Sequence, residues 1–123
     1  MLFSLLLNII NIALGNTAKK NKSVKDMLQI RNNAYVIKTR DNKIGRRYCF
    51  RHGKYSSDKV LDQYDLALIF ENADAGFKTL ALGGDTGVQE AINNWTLKLD
   101  GDANQIKWFG TVLQVAMGAS KRK

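Results

Sequence analysis

The first fourteen residues, MLFSLLLNIINIAL, carry eleven apolar side chains and no charge. Their polar breaks, with the glycine that follows, are Ser4, Asn8, Asn11 and Gly15. These positions fall 4, 3 and 4 apart, which is one narrow stripe on a helix. The rest of the circumference is apolar. Such a helix cannot rest one face on a core and leave the remainder in water. It must be covered on a second side. As a helix it rises about 21 Å, short of the roughly 30 Å hydrocarbon core, which argues against a bilayer span. A secretory signal would begin with basic residues. Here Lys19, Lys20, Lys22 and Lys25 follow the apolar run, although Ala13-Leu14-Gly15 has the look of a cleavage site. Two covers remain. One is the equivalent helix of a second copy. The other is an anionic membrane surface, with the four lysines against its headgroups. A homo-oligomer is expected, with peripheral anionic membrane contact as the alternative.

The far end of the chain repeats the arrangement. Between Asn104 and Gly118, the polar or small positions Lys107, Thr111, Gln114 and Gly118 are again 4, 3 and 4 apart. The formal charge is +8, unevenly distributed. Residues 1–18 carry no charge, Lys19–Lys59 hold 13 bases against three acids, and Val60–Gly118 hold three bases against eight acids. A basic balance favours anionic partners without choosing among nucleic acid, acidic lipid and acidic protein. The expected organisation is an apolar helix over 1–18, one domain over 19–118 and a basic tail over 119–123.

Between the ends the period changes. Ser23–Ile30 has helical spacing. Ala34–Thr39 reads as a strand, Asp41-Asn42-Lys43 as a turn, and Ile44–Arg51 as a second strand. In that second strand Tyr48 and Phe50 face one way, Arg47, Cys49 and Arg51 the other. His52-Gly53 is a further turn and Lys54–Ser57 a third strand. In Asp65–Glu71, Leu66, Leu68 and Phe70 share one face while Ala67 and Ile69 make the other apolar, so this strand is covered on both sides. Asp74–Leu82 groups Phe77, Leu80 and Ala81 on a helix. Thr86-Gly-Val-Gln89 has capping-box spacing ahead of Val88, Ala91 and Ile92. Trp95–Asp100 alternates, with Trp95, Leu97 and Leu99 expected inward, and Asp102 is placed to cap the last helix. The fold class is α+β with a mainly antiparallel sheet.

Little of this is catalytic. One cysteine excludes an internal disulfide framework, and one histidine beside it leaves too few soft ligands for a zinc site. Cys49, read as half-exposed, and the turn residue His52 lack an orienting third group. Asp100 and Asp102 read as turn and cap. Gly83–Gly87 lacks the lysine of a phosphate loop. No enzyme activity, metal or cofactor is expected. The rival reading is a nucleic-acid module on the basic hairpin 38–54. There Lys38, Arg40, Lys43, Arg46, Arg47, Arg51 and Lys54 interleave with Tyr35, Tyr48 and Tyr55. Against it, the alternation turns Tyr48 inward, where it cannot stack a base.

Residues 65–113, DLALIFENADAGFKTLALGGDTGVQEAINNWTLKLDGDANQIKWFGTVL, resemble the sterol carrier protein 2 (SCP-2) domain. Phe77, Leu80, Gly83, Ala91, Leu97, Leu99, Gly101 and Asp102 stand where that pattern wants them, and the upstream hairpin fits. The resemblance covers roughly residues 24–117. Asn94-Trp95-Thr96 departs from the Gly-Lys-Leu that often opens the last strand. The resemblance implies a five-stranded sheet, helices packed on it and an apolar tunnel between them. It implies a lipid or other hydrophobic small molecule as partner, as in bacterial stand-alone members that assist ubiquinone biosynthesis. The candidate wall is Phe50, Leu66, Leu68, Phe70, Phe77, Leu80, Leu97, Leu99, Phe109, Val112, Leu113 and Ala116. The candidate anionic-surface contacts are Lys19, Lys20, Lys22, Lys25, Arg40, Arg47 and Arg51. The expected function is non-enzymatic binding, with transfer or presentation, of a hydrophobic ligand in the cytoplasm or at the inner membrane.

Overall fold

The computed structural model describes residues 2–20, 32–51, 54–82 and 87–109. Leu2–Lys20 forms one helix, α1. Its buried side chains, Phe3, Leu6, Leu7, Ile10 and Leu14, repeat at three- and four-residue spacing and share one face. Two residues of the polar stripe beside them reach side chains of the sheet, although Ser4 and Asn8 are themselves exposed. Tyr55 donates to Asn11 Oδ1 at 2.7 Å, and Arg46 Nη1 to Asn8 Oδ1 at 3.5 Å. The remaining flank leaves Leu2, Leu5, Ile9 and Ile12 between 43% and 63% exposed.

The strands are β1 Asn32–Thr39, β2 Gly45–Arg51, β3 Lys54–Asp58, β4 Leu66–Phe70 and β5 Leu97–Gly101, in the order β3-β2-β1-β4-β5. β1 runs parallel to β4; the other neighbours are antiparallel. Turn chemistry sets the first hairpin. Asp41 Oδ1 accepts from Thr39 Oγ1 at 2.6 Å and from the Lys43 amide at 3.0 Å, and Asn42 takes a left-handed φ of 63°. The register puts Tyr55, Phe50, Tyr48, Tyr35, Ile37, Leu66, Leu68, Phe70 and Leu97 on one face, under the helices. β4 lies inside the sheet and is apolar on both faces, as its sequence predicts. On the second face, Ala34, Val36, Cys49 and Ala67 are buried. The chain from 59 to 65 runs over this side: Gln63 O accepts from Arg47 at 3.1 Å and the Tyr64 hydroxyl meets Asp100. Cys49 on this face is buried, not half-exposed, and burial pushes its thiol up.

Helix α2, Ala73–Phe77, is capped by Asn72, whose Oδ1 accepts from the Ala75 amide at 2.8 Å. A Cβ on Gly76 would lie 2.6 Å from the Phe3 ring, so glycine is what lets α1 approach here. Past Phe77 the helix widens into a π-helical stretch, Lys78–Leu82. Phe77 and Leu80 stay against the core, but Ala81 is exposed. The wider turn rotates it away from the 3.6-residue position that the sequence implies. In α3, Gly87–Asn93, the expected face of Val88, Ala91 and Ile92 packs inward.

Trp95 corrects the alternating reading of WTLKLD. It is 85% exposed, with φ of 66°. The Trp95 amide bonds Ile92 O at 3.2 Å and the Thr96 amide bonds Ala91 O at 3.0 Å, which is a Schellman close to α3. Trp95 fills the left-handed position that glycine usually takes, and the strand begins only at Leu97. At the strand's other end, Gly101 has φ of 100° and lies against the Asp65 carbonyl. Asp102 Oδ1 accepts from the Asn104 amide at 3.1 Å, capping the 3₁₀ turn Ala103–Gln105 and the helical residues 106–109. The expected helix over 23–30, the His52-Gly53 turn, the Thr86 cap and residues 110–118 of the last helix lie outside the described residues.

Replacing Trp95 with glycine should stabilise the protein by up to about 1 kcal/mol. The left-handed Cβ costs about 1–2 kcal/mol, more than the added freedom of an unfolded glycine. Urea midpoints of the two proteins check this; an unchanged or lower midpoint counts against a strained cap.

Candidate functional site

The apolar layer between sheet and helices is the candidate ligand site. Its middle is aromatic. Tyr35 stacks on Phe109 with centroids 4.4 Å apart and rings 9° from parallel, and Trp108 lies 5.7 Å from Tyr35 at 26°. Phe50 meets the Trp108 ring edge-on at 5.2 Å and the Tyr55 ring at 5.3 Å. At the α1 end, Phe3 stands edge-on to Phe70 at 5.8 Å. Strand alternation aims the sheet's rings into this layer, and 106–109 brings its two rings down from above.

Buried phenols need partners. Tyr35 donates to Gln105 Oε1 at 3.0 Å and Tyr48 to the Leu7 carbonyl at 2.9 Å. Desolvation holds the Tyr48 and Tyr55 hydroxyls far above the ordinary value, so both remain neutral donors.

Of the sequence-predicted wall, Phe50, Leu66, Leu68, Phe70, Leu97 and Phe109 are buried in one cluster, with Phe77, Leu80 and Leu99 half-buried against it. Val112, Leu113 and Ala116 lie outside the described residues. The wall list omitted Tyr35, Tyr48, Tyr55 and Trp108, and the whole of α1's buried face. The tyrosines carried a signal, since each sits in phase with an inward-facing neighbour on its strand or its pairing partner.

Four of the basic candidates, Lys19, Arg40, Arg47 and Arg51, have described side chains. Lys19, Arg40 and Arg51 are exposed. Arg47 is committed elsewhere: Nε and Nη2 hold the Asp58 carboxylate at 2.9 and 2.6 Å. The contacts of the Lys20 side chain, Lys22 and Lys25 lie outside the described residues. Tyr35, Tyr48 and Tyr55 all face the core, which removes the stacking platform of the nucleic-acid reading. Among the described residues no group of three or more His, Cys, Asp or Glu could hold a metal, and no helix is long and apolar enough to cross a membrane.

No family model matches the sequence, and no curated protein matches it. Solved structures do. One described as a UbiJ-SCP2 ubiquinone synthesis protein aligns over 91% of this chain and 96% of its own, with a TM-score of 0.67 at 13% identity. The chain has an SCP-2-like fold. The sterol carrier protein domain 2 of Helicoverpa armigera aligns over 89% of this chain and 85% of its own, with a TM-score of 0.55 at 11% identity. A double mutant of the sec-alkyl sulfatase PisA1 matches 72% of this chain at 20% identity and a TM-score of 0.56, but only 14% of the sulfatase is covered. The SCP-2-like resemblance thus holds at the level of fold, including the five-stranded sheet.

The guanidinium of Arg47 holds the Asp58 carboxyl below its ordinary value of 3.8. A depressed folded value contributes stability that is complete above the unfolded value and is lost as pH falls through the folded one. Asp58→Asn should therefore be the less stable protein at about pH 7 and should lose less than wild type between about pH 4 and pH 2. The Asp58 side chain is 42% exposed, so solvent screening keeps the difference small. Urea midpoints across this range measure it.

Proposed function

We propose that this SCP-2-like domain binds a hydrophobic ligand and does no chemistry on it. The reading rests on one observation: the inner face of the sheet and the helices above it meet in a largely apolar, aromatic-rich layer whose tyrosine hydroxyls are paired. In a fold shared with a sterol carrier protein domain, that layer is the natural place for a tunnel. Burial of a chain supplies the affinity, at about 0.8 kcal/mol per methylene, so affinity rises with chain length. The likeness to a ubiquinone synthesis protein favours an isoprenoid or quinone-precursor chain over a compact sterol. Transfer or presentation follows if the chain enters beneath the last helix, where the Trp108 and Phe109 rings rest on Tyr35. The protein would work in the cytoplasm or at the inner membrane.

Trp108 reports on this directly. In a Trp95→Phe protein, the remaining tryptophan emission should change saturably with fatty acids and polyprenols, and tighter binding should accompany longer chains. A folded protein that binds none of several chemically distinct lipids would sink the reading.

The apolar flank of α1 favours a second copy as its cover. Leu2, Leu5, Ile9 and Ile12 fall 3, 4 and 3 apart, the seam spacing of paired helices. No charge occurs in residues 1–18 to oppose pairing, despite the +8 of the whole chain. Leu5→Glu/Ile9→Glu touches only exposed positions. It should convert a self-associated protein to a monomer in sedimentation equilibrium without detergent. Wild type that is already monomeric at high concentration removes this part of the proposal and leaves the ligand reading standing.

A further inference from the structure

We propose that a cleft between the first half of α1 and the β1–β2 hairpin is a phosphate-binding site, fit for a phosphate ester or a phosphate-bearing lipid headgroup. It is separate from the apolar layer and stands whether or not that layer takes a chain. The cleft has a volume of about 240 Å³. Three of its lining residues, Lys43, Arg46 and Lys59, are cations, and none is an acid.

The nearby carboxylates are already engaged. Asp41 accepts from Thr39 and the Lys43 amide, and Asp58 pairs with Arg47. Among the described residues the ion pairs are Arg47–Asp58 and Lys78–Asp74, so Arg46 has no direct ion pair there; the Asp58 carboxyl, which Arg46 helps to hold below its ordinary value, is bound by Arg47. Arg46 is nonetheless fixed, by neutral partners. Its Nε donates to Ser57 Oγ at 2.7 Å and its Nη1 to Asn8 Oδ1 at 3.5 Å. A half-buried guanidinium held in one place without a direct ion-pair partner is pre-organised for an external anion. Its planar fork suits phosphate, and two lysines at the rim supply the charge that a dianion requires.

The walls add to this. Leu7, Ile44 and Leu61 make part of the lining apolar, which weakens solvent screening of the cations. A Cβ on Gly45 would come within 2.8 Å of Lys38 Cβ and 2.9 Å of Leu61, so hairpin and wall are close-packed. Size then limits the ligand. The cleft is smaller than the roughly 300–1,000 Å³ pockets that enclose whole drug-sized molecules, and about eight waters would fill it. It takes a headgroup, not a lipid chain. Asn8 at its edge neighbours Leu5, Ile9 and Ile12 on the helix, so a headgroup in the cleft would have apolar surface alongside it.

The test uses the full-length protein. ¹⁵N-labelled protein is titrated with sodium phosphate and, separately, with sodium chloride at matched ionic strength, following the amides of Lys43–Arg46. In parallel it is sedimented with phosphatidylcholine vesicles with and without phosphatidate. Arg46→Gln and the double variant Lys43→Gln/Lys59→Gln are compared; the second keeps the Ser57 and Asn8 contacts of Arg46 and guards against misfolding of the first. Each should weaken binding by about tenfold or more. Saturable shifts with phosphate, reduced in the variants, support the site with free phosphate chemistry. Binding confined to phosphatidate vesicles and reduced in the variants supports it with a lipid headgroup. Shifts no different from those with chloride, together with no phosphatidate-dependent sedimentation or sedimentation that both variants retain in full, overturn it.

Discussion

Three tyrosine hydroxyls beneath the helices fix how α1 and the turn Ala103–Gln105 lie on the sheet. Sheet alternation drives Tyr35, Tyr48 and Tyr55 into the apolar layer, and a phenol buried there without a partner costs about 1–3 kcal/mol. Each partner comes from a helix: Gln105 before the last one, the Leu7 carbonyl and Asn11 in α1. The hydrophobic effect alone would let α1 rotate or slide over the layer. The hydrogen bonds select one rotation, and no buried side-chain polar atom is left unpartnered among the described residues.

That rotation has a consequence at the surface. With Asn8 and Asn11 turned toward β2 and β3, the apolar residues on the opposite flank have nowhere to go but outward. Turning them in would strand the Tyr55 hydroxyl and free Arg46 from Asn8. The exposed row on α1 is thus the counterpart of a satisfied polar network inside. The same rotation sets Ser4 and Asn8 along the cleft beside the hairpin, where Asn8 Oδ1 accepts from Arg46 Nη1.

What was legible in the sequence was what depends on period and local chemistry. β4, the Asp41-Asn42-Lys43 turn, the inward phase of Tyr48 and Phe50, and Asp102 as a cap follow from neighbours within a few positions. What was not legible depends on distant parts. Arg47 reads as a surface base until β2–β3 register sets it opposite Asp58. Cys49 reads as half-exposed until the register sets it beside Ala34 on a second face that is itself buried. Trp95 reads as the first inward residue of a strand because alternation is visible in the letters and a helix-closing motif is not. The narrow stripe on α1 was visible as spacing, yet its contacts were hidden: polar residues on a helix usually mark water alone, and here Asn8 and Asn11 also reach Arg46 and Tyr55.

The charges divide by the distance over which they act. Three of the acids work close to their own place in the chain: Asp41 closes a turn, Asp102 caps a helix, and Asp74 pairs with Lys78 one helical turn on. Asp65 accepts from the Ala34 amide and secures the parallel pairing of β4 with β1. Asp58 alone neutralises a cation across strands by a described ion pair. In the acidic second half Asp65, Asp74, Asp100 and Asp102 make contacts that hold the fold, and the basic first half keeps its excess. At physiological salt that excess is felt over about 8 Å, far enough to draw an anion to the hairpin side and too short to decide the fold. Shape and burial make the apolar layer; the uncompensated bases beside α1 determine which charged surfaces the molecule can approach.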